Sequence, residues 1–432
     1  MPLQCSEQSL LSDLIETMNR KYQQNMDDAW QRGLEVLNPG KAELQRGLAL
    51  HRELAICENY GFLPKIIAPH VTETVNELQD RGASQTDWKR KAWTQRVTSA
   101  TQNESAAAEY LEAMNRAGVC GMIQNISDVG ESLQDALTLM AGYRHICNVF
   151  KKRIFQATCA EDLEEAKATG RTGVIFSLTG LPIEGTGGII DLEGLLDWVD
   201  VWYQLGVRFM HLGYNRRNYF ADGCTETNDG GLSDLGRELI ARMNRAGIIV
   251  DVPHSSRKST FDAVAISSRP VVATHVGCAA IHDHPRGKTD AEIKAIADSG
   301  GYIGIVGVPM ILGPDADLNL LLCHVEHAIN LVGADHVAVG TDLGYDGAWP
   351  KDLRGYPVNG NRIDRGGWKP EHRLHAKSLE HVNGSLAWTN WPLITVGLVK
   401  MGLSETDIEK VLGGNLRRVL RTCRPENEVL LD

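Results

Sequence analysis

The chain has 432 residues, 43% of them hydrophobic, and a formal net charge of -11. That is enough sequence for a large core, in two average domains or one elaborated one. The acidic balance argues against nucleic acid or an anionic membrane as partner. Nine scattered cysteines without a CxxC pair, and an N-terminus lacking both a basic segment and a long apolar run, read as a cytoplasmic protein without a disulfide framework.

Residues 1–53 read as a helical extension: Leu10, Leu11, Leu14, Ile15 and Met18 recur at helical spacing, and Asn38-Pro39-Gly40 breaks the run before Leu44, Leu48 and Leu50. From residue 54 the pattern changes to short apolar runs alternating with amphipathic stretches. Strands are predicted at 54–57, 119–125, 173–178, 209–212, 248–252, 271–274, 302–308 and 336–340. Helices fall between them, for example at 161–168, 192–205, 232–246, 290–299 and 318–332. Eight βα units in a row predict an α/β fold, a (β/α)8 TIM-type barrel over 54–422 with a tail at 423–432. Polar segments at about 65–108 and 348–391 interrupt the repeat as insertions and read as lids or contact surfaces.

Three of these strands stop on a residue able to hold a metal. His254 follows Ile248-Ile249-Val250-Asp251, His275 follows Val271-Val272-Ala273-Thr274, and Asp342 follows Val337-Ala338-Val339-Gly340-Thr341. Two imidazoles and a carboxylate at the C-terminal face of a barrel suit one divalent ion, zinc first, with iron(II) and manganese also accommodated. Each residue alone has a blander reading, as a hydrogen-bonded core histidine or a loop-capping aspartate. His211 has the opposite strand parity to Tyr214 and is expected to face the helices. His324 and His327 are expected to be structural.

At these residues the chain resembles the renal (membrane) dipeptidase family of metal-dependent barrels. The resemblance runs from about 110 to 422 and rests on Leu205-Gly206-Val207-Arg208-Phe209, Asp251-Val252-Pro253-His254-Ser255-Ser256, Thr274-His275, His284-Pro285-Arg286-Gly287, Gly340-Thr341-Asp342 and Gly413-Gly414-Asn415. It implies a dipeptidase-like hydrolase acting on a small-molecule substrate, with Arg286 clamping a substrate carboxylate, Asp342 shuttling a proton, and a homodimeric assembly. The family is binuclear, and half of its metal set is replaced here. Tyr60 and Phe62 stand for the first strand's His and Asp, Thr179 for the bridging Glu, and Tyr214 for a substrate-contacting His.

Neither a phenyl ring nor a neutral hydroxyl supplies the anionic oxygens that hold two dications together. The expectation is therefore a mononuclear enzyme with His254, His275 and Asp342 on the metal, and Arg286, Tyr214, Tyr60 and Thr179 on the substrate. His70 and Glu184 are alternative contributors to the metal shell. Two other readings stay open: a single-metal decarboxylase, lyase or iron-dependent enzyme, and a non-catalytic relative.

Overall fold

Parallel strand pairing organises the chain from residue 57 to residue 346. The computed structural model describes residues 21–127, 132–183, 192–347 and 384–425. Its strands are β1 (Cys57–Lys65), β2 (Gly121–Asn125), β3 (Ile154–Gln156), β4 (Thr172–Leu178), β5 (Val207–His211), β6 (Ile249–Asp251), β7 (Val271–Cys278), β8 (Gly287–Lys288), β9 (Ile303–Ile305), β10 (Val337–Val339) and β11 (Gly344–Asp346). They lie in the order β10-β9-β7-β6-β5-β4-β2-β1-β11, with β3 beside β4 and β8 beside β7.

β11 continues directly from β10, so its parallel pairing with β1 brings the last stave back to the first. Asp342 N donates to Tyr60 O at 2.8 Å, and Phe62 N to Leu343 O at 2.9 Å. With β10 and β11 counted as one stave, the eight staves of this order form the expected (β/α)8-type barrel.

Alternation along the staves separates two cores. Ile123, Ile175, Phe209, Ile249, Val272 and Ala338 fill the barrel interior, while Met122, Val174, Met210, Val250, Val271 and Val337 meet the helix layer. This is the period of two that a pleated strand imposes. Serine N-caps at Ser132, Ser233, Ser256 and Ser404 start four of the helices.

The segment read as a polar insertion is largely helical, with helices at Pro69–Asp80 and Gln85–Thr98. Trp88 there packs with Val75 and Ala92 in a small cluster of its own. Its polar composition follows from helices that bury only one stripe. At the other end of the chain, the helix Lys41–Glu53 lies against Trp391–Lys400. Gly47 permits the approach, because a Cβ there would meet the Val396 side chain. Leu37 and Leu50 join the same core as the barrel.

Candidate active site

A bulge decides how β7 feeds the site. Its register against β9 shifts between Ala273 and Val276, so Thr274 and His275, adjacent in sequence, both engage groups at the C-terminal end of the barrel. Room for the bulge comes from two glycines: a Cβ on Gly304 or Gly340 would strike Thr274 O. Thr274 Oγ1 donates to Asp251 Oδ2 at 2.6 Å and lies 2.9 Å from His275 Nδ1. With its proton committed to the carboxylate, that hydroxyl accepts, and His275 carries its hydrogen on Nδ1.

His254 is fixed in the same way. Its Nδ1 lies 2.7 Å from Asn215 Oδ1, an oxygen that also accepts from the Cys224 thiol at 3.3 Å. Both imidazoles therefore turn an Nε2 lone pair inward, and the two Nε2 atoms face each other at 3.1 Å. Burial, followed by the charge of Arg286, holds both rings well below the usual histidine range, so they stay neutral. Tyr60 stacks on His275 with centroids 3.9 Å apart, and Tyr214 on His254 at 4.1 Å.

Arg286 is 2% exposed. Its guanidinium donates to Pro253 O, to His275 O at 3.1 Å, and to His254 Nε2 at 3.2 Å. Every one of these partners is neutral, and among the described residues no carboxylate pairs with the buried cation. Asp342 is partly exposed and holds a left-handed backbone with φ 55, a conformation Asp and Asn tolerate better than other side chains. Burial pushes its carboxyl up to about 6, against the opposing pull of Arg286 and Lys65. Lys65, on β1, lies 4.0 Å over the Phe62 ring and 4.3 Å over Trp93.

The positions where the resemblance places a second metal are filled by a closed neutral network. Tyr60 neighbours Thr179, and burial raises its phenol well above the usual value, so it stays neutral. Thr179 Oγ1 accepts from Asn125 Nδ2 at 2.6 Å and donates to Ser127 O at 3.2 Å. These groups satisfy one another and leave no anionic oxygen for a dication.

His211 corrects the sequence reading. Rather than facing the helices, its ring lies 5.4 to 5.5 Å from those of Tyr60, His254 and His275. Parity counted back from Tyr214 fails because β5 ends at His211 and the chain between them leaves the pleat. Parity counted forward from Phe209, inside the barrel, places it correctly. The available signal was the apolar pair Phe209-Met210 running into His211, a strand ending on histidine as at the other two.

His324 and His327 are structural as expected: His324 bridges Cys278 N and Leu312 O, and His327 pairs with Asp290. His70 is the second residue of the helix Pro69–Asp80 and joins no metal-binding group among the described residues. Glu184 lies outside the described residues.

The donors present suit one divalent ion. Two neutral imidazoles with facing lone pairs 3.1 Å apart approach the separation of about 3.3 Å that two nitrogens have on a tetrahedral zinc. The expected His254, His275, Asp342 triad does not assemble, since among the described residues no three His, Cys, Asp or Glu side chains are grouped to hold a metal. Arg286 Nη2 occupies the His254 lone pair instead, and a cation so placed opposes a dication until it is displaced.

Comparison with known proteins agrees with this architecture. The family model for membrane dipeptidases (peptidase family M19) matches residues 71–372. The dipeptidase tcpJ of Claviceps purpurea is 26% identical over 295 residues, covering 67% of this chain and 60% of that protein. Dipeptidase verJ of Clonostachys rogersoniana is 29% identical over 253 residues, 58% of this chain and 56% of its own. The chain thus spans under two thirds of the length of these curated relatives.

Among solved structures, an amidohydrolase from Pseudomonas aeruginosa superposes with a TM-score of 0.65 at 24% identity, over 87% of this chain and 98% of its own. A metallopeptidase from Rhodobacter sphaeroides, liganded with a phosphinate mimic of the dipeptide L-Ala-D-Ala, gives 0.60 at 17% identity, over 86% and 99%. At these identities the superpositions establish the fold. With the family model spanning more than half of its length, the chain belongs to the membrane dipeptidase family, a family of metallopeptidases.

Proposed function

We propose that this protein is a mononuclear metal-dependent hydrolase that cleaves an amide bond in a small molecule bearing a carboxylate. The observation that carries the reading is the pair of Nε2 lone pairs, each fixed by a hydrogen bond at the opposite ring nitrogen, facing each other at 3.1 Å in a buried site. His254 and His275 would hold the ion, with zinc the favoured occupant for two imidazoles. Such an ion supplies Lewis-acid polarisation of the scissile carbonyl.

The remaining steps belong to the chain. Arg286, a buried guanidinium paired only with neutral acceptors, gains a counter-ion when it takes the substrate carboxylate in a bidentate clamp. Asp342 has a carboxylate with no hydrogen bond among the described residues, poised at about 6. It accepts a proton from the attacking water and returns it to the leaving amine as the C–N bond breaks. Tyr60 and Tyr214 wall the imidazoles by stacking and exclude water from them. The eight described cysteines are free thiols, which supports a reducing compartment such as the cytoplasm.

The reading is tested by stripping the full chain with a chelator and reloading it with Zn2+, Mn2+ or Fe2+. A panel of dipeptides and N-acyl amino acids is then screened for released amine. Metal-restored hydrolysis that requires a free substrate carboxylate supports it. Failure to cleave any amide in every metal form sinks it.

A further inference from the structure

The imidazole pair leaves any bound ion with only two protein donors, one fewer than single-metal catalytic sites on three protein ligands employ. His211 is the unexplained neighbour. It is fully buried, neither ring nitrogen makes a hydrogen bond, and its Nε2 lies 3.1 Å from Asp251 Oδ2 but off the hydrogen-bonding direction. A buried imidazole with both nitrogens unsatisfied costs stability without return unless a ligand uses it.

Its placement identifies the ligand. The centroids of His211, His254 and His275 form a nearly equilateral triangle with sides of 5.5, 5.4 and 5.1 Å. With metal–nitrogen bonds of about 2.0–2.1 Å, three imidazoles around one ion have centroids about 5.2–5.5 Å apart. We propose that His211 is the third protein ligand of the metal site, binding through Nδ1 while its Nε2–H turns to Asp251.

As the structure stands, the His211 nitrogen is not grouped with the other two. Reorienting this ring breaks no hydrogen bond, whereas turning His254 or His275 would break the bonds to Asn215 or Thr274. The proposal also assigns the buried Asp251 carboxylate. Already accepting from Thr274 N and Oγ1, it would align His211 and, through Thr274, His275, as carboxylates behind metal-bound histidines do.

This inference rests on the proposed single-metal site and deepens it. The test is Co2+ titration of the full chain, read by calorimetry and by the visible absorption band, for the parent, His211→Asn, His211→Phe and the surface control His145→Ala. The parent and the control should bind one Co2+ per chain with the same spectrum. Both His211 variants should bind at least about tenfold more weakly, with a shifted and weakened band. Because His211→Phe removes an unsatisfied buried imidazole, its metal-free melting temperature should match or exceed the parent's, which separates ligand loss from misfolding.

Unchanged affinity and spectrum in both variants would overturn the assignment of His211 while leaving the imidazole pair in place. A parent that binds no Co2+ would overturn the assignment together with the single-metal reading.

Discussion

Replacing Asp342 by Asn should cut activity by orders of magnitude and make the metal-free protein more stable. The left-handed backbone at φ 55 suits Asn as well as Asp, and Asp342 N keeps its bond to Tyr60 O, so the substitution removes charge without changing the fold. The carboxyl sits at about 6 in the folded chain against an ordinary 3.8, chiefly through burial. About two pH units at 1.36 kcal/mol each give about 3 kcal/mol against the ionised form, reduced to about 1–3 kcal/mol because the residue is partly exposed.

A raised acid destabilises the fold above its folded value, and the penalty disappears below its unfolded value. The Asn variant should therefore exceed the parent most at pH 8, with the gap closing as pH falls through 6 towards 4. Urea unfolding of chelator-treated protein at pH 8, 6 and 4.5 measures this, while hydrolysis should drop by about 10²–10⁴-fold. A variant less stable than the parent at pH 8, or a gap independent of pH, would refute the reasoning.

Three further outcomes follow from the same contacts. Arg286→Met should bind metal more tightly than the parent in competition titrations, since the guanidinium no longer covers His254 Nε2, while KM for carboxylate substrates rises steeply. Asn215→Ala frees the His254 tautomer and should weaken metal binding by about 10–100-fold, measured with a chromophoric chelator. Thr341→Val removes a 2.6 Å hydrogen bond to the buried Glu58, whose carboxyl burial has already raised to about 7. It should cost about 1.5–3 kcal/mol at pH 8, and less at pH 5, where Glu58 is protonated, as read by denaturation at the two pH values.

The barrel was legible because its staves are short apolar runs of period two, and because His254 and His275 end two of them. The side-chain set was harder to read where the pleat breaks. The bulge in β7 turns both Thr274 and His275 to functional contacts, and the end of β5 at His211 voids any parity taken from Tyr214. Long-range partners were silent in sequence: nothing in Glu58 announces that it accepts from Thr341, Trp388 and Trp391. Asn215, which fixes His254 from 39 residues away, was equally hidden. The replacements Tyr60 and Thr179 were visible one by one, but the joining of Thr179 with Asn125 and Ser127 into one neutral network beside Tyr60 depends on the closed barrel.

The central claim is that one ion, held by the imidazoles, replaces the two that the family resemblance implies. Elemental analysis of the full chain, purified without added metal and again after equilibration with Zn2+ and desalting, tests it most directly when run beside a His254→Ala, His275→Ala double variant. The account predicts one metal per chain in the parent and none in the double variant. Two metals per chain, or one that survives loss of both histidines, would contradict it.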